Sequence, residues 1–178
     1  MRTNDGRGNP LAMAGGALGA VAACYDQDIQ SRRNGAAMTQ DDEHFLRRAI
    51  ELAATGRAAG DAPFGSLLVG PDGAVLAEDH NTVLTDHDIT AHPELKLARW
   101  AARELEPSTA SVTTMYTSCQ PCGMCTGAIE RSGLGRVVFA LSSEQFSDLQ
   151  PDDGFPHVPQ EGPALFDEAR IPVDGYSY

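Results

Sequence analysis

Apolar residues recur along this chain in two periods, and their order predicts a layered α/β domain. Thr39 followed by Asp42 has the form of a capping box, and Phe45, Leu46, Ala49, Ile50 and Ala53 then repeat at helical spacing. That pattern predicts an amphipathic helix over residues 40–57, stopped by Gly60 and Pro63. Phe64 to Val69 reads as a short buried strand, Pro71-Asp72-Gly73 as a turn, and Ala74 to Ala77 as the return strand of a hairpin. A polar loop with Asp79, His80, Asp86, His87 and Asp88 runs to residue 91. Pro93 suits the first turn of a second helix, where its missing N–H does no harm. Leu95, Ala98, Ala101 and Ala102 are the expected apolar face of that helix, which ends near Leu105 before Pro107. Ser111 to Thr117 is rich in strand formers. Pro121 opens a third helix, with Met124, Ala128 and Ile129 on one side and Gly133 as its stop. Arg136 to Leu141 is a fourth strand, and Ile171-Pro172-Val173 is compatible with a short fifth strand, Pro172 suiting an edge position. Strands reached through helices should be at least partly parallel.

Residues 1–37 do not continue this pattern. They are dominated by Gly and Ala between polar stretches, and are expected to form a disordered extension before a domain spanning 38–178. Val21-Ala22-Ala23-Cys24 resembles a lipobox, but Gly15, Gly16, Gly19 and the early Asp5 speak against a signal peptide. No run approaches the roughly 20 apolar residues of a membrane span. The expected compartment is therefore the cytoplasm, with no membrane partner. The composition, 42% hydrophobic and 21% charged over 178 residues, excludes a collagen-like or mostly disordered chain.

Charge narrows the partners. From residue 39 onward nine bases face 22 acids, a net charge of −13, and residues 144–178 hold eight acids against Arg170 alone. A nucleic-acid binder needs a basic footprint to neutralise phosphates. This chain offers none, so a small neutral or cationic partner is expected.

Three of the four cysteines, Cys119, Cys122 and Cys125, crowd into seven positions, which suggests a metal site or redox pair before a disulfide framework. Cys122 and Cys125 fall at a helix start, where thiolate is favoured and one turn brings both sulfurs onto one face. Two thiolates and one His would leave a tetrahedral zinc with an open position, the pattern of a catalytic site. His92, opening the preceding helix in His92-Pro93-Glu94, is the natural third ligand. Glu94 would then stand free beside the ion, able to take a proton from water and pass it on. Two alternatives remain open: a structural zinc with Cys119 as fourth ligand, and a redox pair.

His-x-Glu followed about thirty positions later by Pro-Cys-x-x-Cys resembles the signature of the zinc-dependent cytidine and nucleobase deaminase superfamily. The likeness spans roughly residues 39–142 and includes Ala62-Pro63-Phe64-Gly65, Asn81, Asp88 and Thr90-Ala91-His92. Tyr116-Thr117-Ser118-Cys119 looks most like the bacterial guanine deaminase-like branch. The resemblance implies a three-layer α/β/α sandwich with a mixed central sheet, its fifth strand short or absent because the C-terminus is shortened. It implies Zn2+ on His92, Cys122 and Cys125, and Glu94 as the catalytic proton shuttle. Asn81 would bond the base edge, Phe64 would line the pocket, and Ala91 and the backbone around Pro121 would contact the base. Gln120 departs from the Glu common in the family. A homodimer is expected, as is hydrolytic deamination of a free base, guanine or a related purine, pyrimidine or triazine. A tRNA adenosine deaminase and a non-catalytic zinc-stabilised domain are the alternatives.

Overall fold

The computed structural model describes residues 38–150, 154 and 156–177; the leader at 1–37, with Cys24, lies outside the described residues. The chain divides into one unit reaching to Ser143 and another from Glu144 on.

Helix α1 (Gln40–Ala59) begins with the anticipated box: Thr39 Oγ1 accepts from the Asp42 N–H at 3.1 Å, and the Thr39 N–H donates to Asp42 Oδ2 at 2.9 Å. Gly60, left-handed at φ 95°, ends it. Its buried stripe is Asp42, Leu46, Ala49, Leu52, Ala53 and Gly56, whereas Ile50, expected on that face, is half exposed.

Strands β1 (Gly65–Val69) and β2 (Val75–His80) form the hairpin. The loop that follows contains a single-turn helix, α2 (Val83–Asp86). Helix α3 (Pro93–Glu104) starts at its proline as expected, and a short α4 (Pro107–Ala110) leads into β3 (Thr114–Cys119). Helix α5 (Gly123–Ser132) ends at Gly133, φ 78°, and β4 (Arg136–Leu141) falls where the sequence put it.

The sheet order is β2-β1-β3-β4, with β1 antiparallel to both β2 and β3 and β4 parallel to β3. Strands β2, β3 and β4 therefore run the same way, as their helical crossovers require. Because β1 runs against them, its beginning lies beside the ends of the other three.

Alternation splits the core between two faces. Leu67, Val69, Tyr116 and Val138 pack on Leu46 and Ala49 of α1. Leu68 and Met115 pack on Leu97, Ala98 and Ala101 of α3 and Ile129 of α5. This is the expected helix–sheet–helix layering around a mixed sheet. Helix α1 lies so close to β1 that a Cβ on Gly65 would sit 2.5 Å from Ala49 O, Ala53 N and Leu52 Cβ. Glycine is required there for approach.

The second unit holds α6 (Ser143–Leu149), which begins at the boundary, and α7 (Phe166–Ala169). The fifth strand that Ile171-Pro172-Val173 could form is absent among the described residues. That segment is a turn, because Val173 and Asp174 N–H bond back to Arg170 O at 2.9 Å each, which uses the backbone locally. No described helix is long and apolar enough to cross a membrane.

Candidate active site

The site lies at the end of the sheet where β2, β3 and β4 finish and β1 begins. Two helix N-termini meet there. His92 is the residue capping α3, with extended backbone at φ −74° and ψ 138°. Cys122 holds the same position on α5, at φ −68° and ψ 170°. Glu94 and Cys125 follow in the first turns and are buried, whereas Cys122 is exposed and His92 intermediate.

The ligand atoms converge. Cys125 Sγ lies 3.5 Å from both His92 Nδ1 and Cys122 Sγ, and Cys122 Sγ lies 3.9 Å from His92 Nδ1. A tetrahedral zinc, with bonds of about 2.0–2.3 Å, spaces such atoms about 3.6–3.8 Å apart. The donor set and its spacing therefore suit zinc. Cys119, weighed as a fourth ligand, is buried at the end of β3 and does not belong to this cluster. Burial pushes the Cys125 thiol far up from its ordinary range, and the Glu94 carboxylate adds to the effect. A bound divalent cation reverses that balance and favours thiolate.

Glu94 is 4% exposed and makes no ion pair among the described residues. Its Oε1 accepts from Thr117 Oγ1 at 2.9 Å, and its Oε2 lies 3.7 Å from Cys125 Sγ. One oxygen is thus tied to the sheet and the other faces the ligand cluster. The observed face of α3 differs from the expected one at Leu95 and Ala102. The buried stripe is Glu94, Leu97, Ala98 and Ala101, while Leu95 is only half buried and Ala102 exposed.

Asn81 follows β2 and is 2% exposed. Its Oδ1 accepts from the Val83 N–H at 3.1 Å, and its own N–H donates to Phe64 O at 2.9 Å. With Oδ1 engaged, the side-chain NH2 is left as a donor. Two charged side chains hold this corner. Lys96, one turn into α3 from His92, donates to His80 O at 2.7 Å and Thr82 Oγ1 at 3.2 Å and pairs with Asp79 at 2.8 Å. Asp61, 6% exposed, accepts from Leu84 N–H, Thr85 N–H and Thr85 Oγ1 at 2.6–3.1 Å, which keeps its carboxyl below the usual range.

Phe64 is half buried and Ala91 buried, the latter joined to the Asn81 corner by Thr82 N–H to Ala91 O at 3.1 Å. Pro121 lines a separate groove of about 330 Å³ between α5 and β4, which none of His92, Glu94, Cys122 and Cys125 enters. Gln120 Oε1 accepts from the Ser143 N–H at 3.1 Å, which ties the end of β3 to the residues after β4. Trp100 packs at the margin of the α3 core, and His87 stays exposed in the loop. Ser66, Asp61 and Lys96 carry no sequence signal of a site, and Thr117 stands in the Tyr116-Thr117-Ser118-Cys119 motif without a role of its own. Thr117 carried a usable signal, since two-residue alternation puts it on the same face as Met115 and Cys119.

The comparisons agree with this geometry. The family model for the cytidine and deoxycytidylate deaminase zinc-binding region matches residues 39–141. Guanine deaminase of Bacillus subtilis is 39% identical over 131 residues, covering 73% of this chain and 82% of the relative. A crystal structure of Bacillus subtilis guanine deaminase superposes with a TM-score of 0.64 at 34% identity, over 77% of this chain and 92% of that one. A tRNA-specific adenosine deaminase of Buchnera aphidicola subsp. Baizongia pistaciae is 36% identical over 113 residues, covering 64% of this chain and 67% of the relative. A donor set spaced for zinc, a buried carboxylate beside it and a match over more than half of the sequence lead to one statement: the chain belongs to the cytidine and deoxycytidylate deaminase zinc-binding family and is a zinc-dependent deaminase.

Proposed function

We propose that this deaminase hydrolyses a free amino-substituted nucleobase, guanine or a related purine, pyrimidine or triazine, and releases ammonia. The observation that carries the reading is the buried Glu94 carboxylate, with one oxygen held by Thr117 and the other turned toward the ligand cluster.

His92, Cys122 and Cys125 would hold the ion. When bound, zinc would supply a Lewis acid that makes a water molecule easier to deprotonate near neutral pH. Glu94 would take that water's proton through Oε2. The water oxygen bonds to the amine-bearing ring carbon, and Glu94 delivers the proton to the adjacent ring nitrogen. The proton left on the newly bonded oxygen passes through the same carboxylate to the amino group, that oxygen becomes a carbonyl as the C–N bond breaks, and ammonia leaves. Asn81 donates its free NH2 to a carbonyl or ring nitrogen on the base edge. Phe64 lines the ring, and Ala91 and the backbone near Pro121 border it. The reading includes a homodimer working in the cytoplasm.

The similarity to tRNA-specific adenosine deaminases favours a second reading. Against it stands the net charge of −13 from residue 39 on, which gives phosphates little to bind.

Ammonia release measured against guanine, cytosine, adenine, a triazine and an adenosine-bearing tRNA stem-loop separates the two. Turnover of a free base with an inert stem-loop supports the proposal, and the reverse order overturns it. The protein should carry about one zinc per chain, less in His92→Ala or Cys122→Ala. Full occupancy in either variant would remove these residues from the ligand set.

A further inference from the structure

Three buried polar side chains form a row running from the sheet interior to the ligand cluster. Ser66 and Thr117 are both 0% exposed and face each other across β1 and β3. They lie on the sheet face that otherwise carries Leu68 and Met115. Hydroxyls in such a place are costly unless paired. Here Ser66 Oγ donates to Thr117 Oγ1 at 2.9 Å, and Thr117 Oγ1 lies 2.9 Å from Glu94 Oε1 and 3.1 Å from Cys119 O. Thr117 has one proton to give. Ser66 occupies a lone pair, so that proton is offered to Glu94 or to the Cys119 carbonyl, and an ionised carboxylate is the stronger acceptor.

We infer that Thr117, itself oriented by Ser66, is a positioning residue that sets which oxygen of Glu94 faces the reaction. The inference rests on the proton-shuttle reading of Glu94. The terminal torsion of a Glu side chain is broad and roughly two-fold. A hydrogen bond to Oε1 from the rigid sheet removes that freedom and leaves Oε2 on the cluster side, 3.7 Å from Cys125 Sγ. Proton transfer depends on such placement, since a misplacement near 1 Å costs about 100-fold. Packing alone does not call for Thr117, because valine has the same shape and is a better strand former in an apolar layer.

The test uses zinc-loaded full-length protein and three variants, Thr117→Val, Thr117→Ser and Ser66→Ala. Thr117→Val should lower kcat about 10- to 100-fold, with KM for the preferred free base within about twofold and zinc content unchanged. Thr117→Ser keeps the hydroxyl and should recover most of the loss. Ser66→Ala should fall between Thr117→Val and wild type. A crystal structure of Thr117→Val should show the Glu94 carboxylate rotated away from its present setting, a readout independent of turnover. Unchanged kcat with Glu94 in place would overturn the inference, as would a Thr117→Ser enzyme as impaired as Thr117→Val, since the methyl group would then be what matters. If Thr117→Val does not fold, Thr117→Ser and Ser66→Ala decide: wild-type kcat in Ser66→Ala overturns the inference. An active Glu94→Gln enzyme would instead sink the shuttle reading itself, whereas an inactive one beside an undisturbed Thr117→Val removes only the positioning role.

Discussion

The sheet buries one carboxylate on each face, and each is fastened to β3 by one of two consecutive residues. On the α1 face Asp42, 2% exposed, is saturated. Arg136 donates to both its oxygens at 2.7 and 3.0 Å, Tyr116 Oη to Oδ1 at 2.7 Å, and the Thr39 N–H to Oδ2 at 2.9 Å. The hydrogen bonds from Arg136 hold the Asp42 carboxyl well below the usual range, and burial together with Asp42 pushes the Tyr116 phenol up. On the α3 face Glu94, 4% exposed, has Thr117 on one oxygen and the Cys125 thiol near the other. A buried carboxylate supplied with all its donors is a strut joining α1, β3 and β4. Glu94, with one oxygen fixed by the sheet and the other met only by the Cys125 thiol among the described residues, is supplied with fewer donors.

The largest expected effect falls on Glu94. Glu94→Gln should lower turnover about 1000-fold or more while zinc content and thermal unfolding stay near wild type. A drop in stability matching that in activity would break the contrast. Asp42→Asn should do the opposite. It removes one member of a largely buried ion pair, and because Arg136 is one-third exposed the cost is about 2 kcal/mol, below that of a fully buried pair. Calorimetry should report a Tm lower by several degrees, with turnover per folded molecule unchanged at low temperature; lost turnover in a folded variant would make Asp42 more than a strut.

The pH dependence sharpens the same variant. The folded pKa of Asp42 is depressed, so its stabilisation is fully present above the unfolded value of about 3.9 and fades as pH falls below it. The Tm gap between wild type and Asp42→Asn should therefore hold at neutral pH and narrow below about pH 4. A gap constant to pH 2 would contradict the pairing. Tyr116→Phe, which removes one of four donors and little volume, should cost about 1 kcal/mol in urea unfolding, the smallest effect of the set.

Much of this arrangement could be read from the chain. Thr39 and Asp42 announced the start of α1, Gly60 and Gly133 its end and that of α5, and Arg136 to Leu141 was placed to the residue. The ligand cluster was legible because zinc chemistry restricts residue type and helical geometry restricts spacing. Faces were harder. On α1 the exposed Ile50 and the buried Leu52 are both apolar, and on α3 Leu95 is half buried and Ala102 exposed, so apolar spacing alone left the exact face open. At 171–173 the sequence left the fifth strand open between short and absent, because a strand needs a neighbour and nothing in Ile-Pro-Val says whether one is within reach. The single-turn helices α2 and α4 carry too few residues to show a period.

By itself, the sequence determined the element order, the two helix starts and the donor types, since these rest on spacings of a few residues. Tertiary structure decided what depends on residues far apart in the chain. It set Ser66 against Thr117 and Thr117 against Glu94, and it brought His92 to Cys122 and Cys125 across 30 and 33 positions. It also decided which buried carboxylate would be saturated. The donors that settle the matter for Asp42 sit on α1, β3 and β4, and only the packing of α1 across the sheet brings them together.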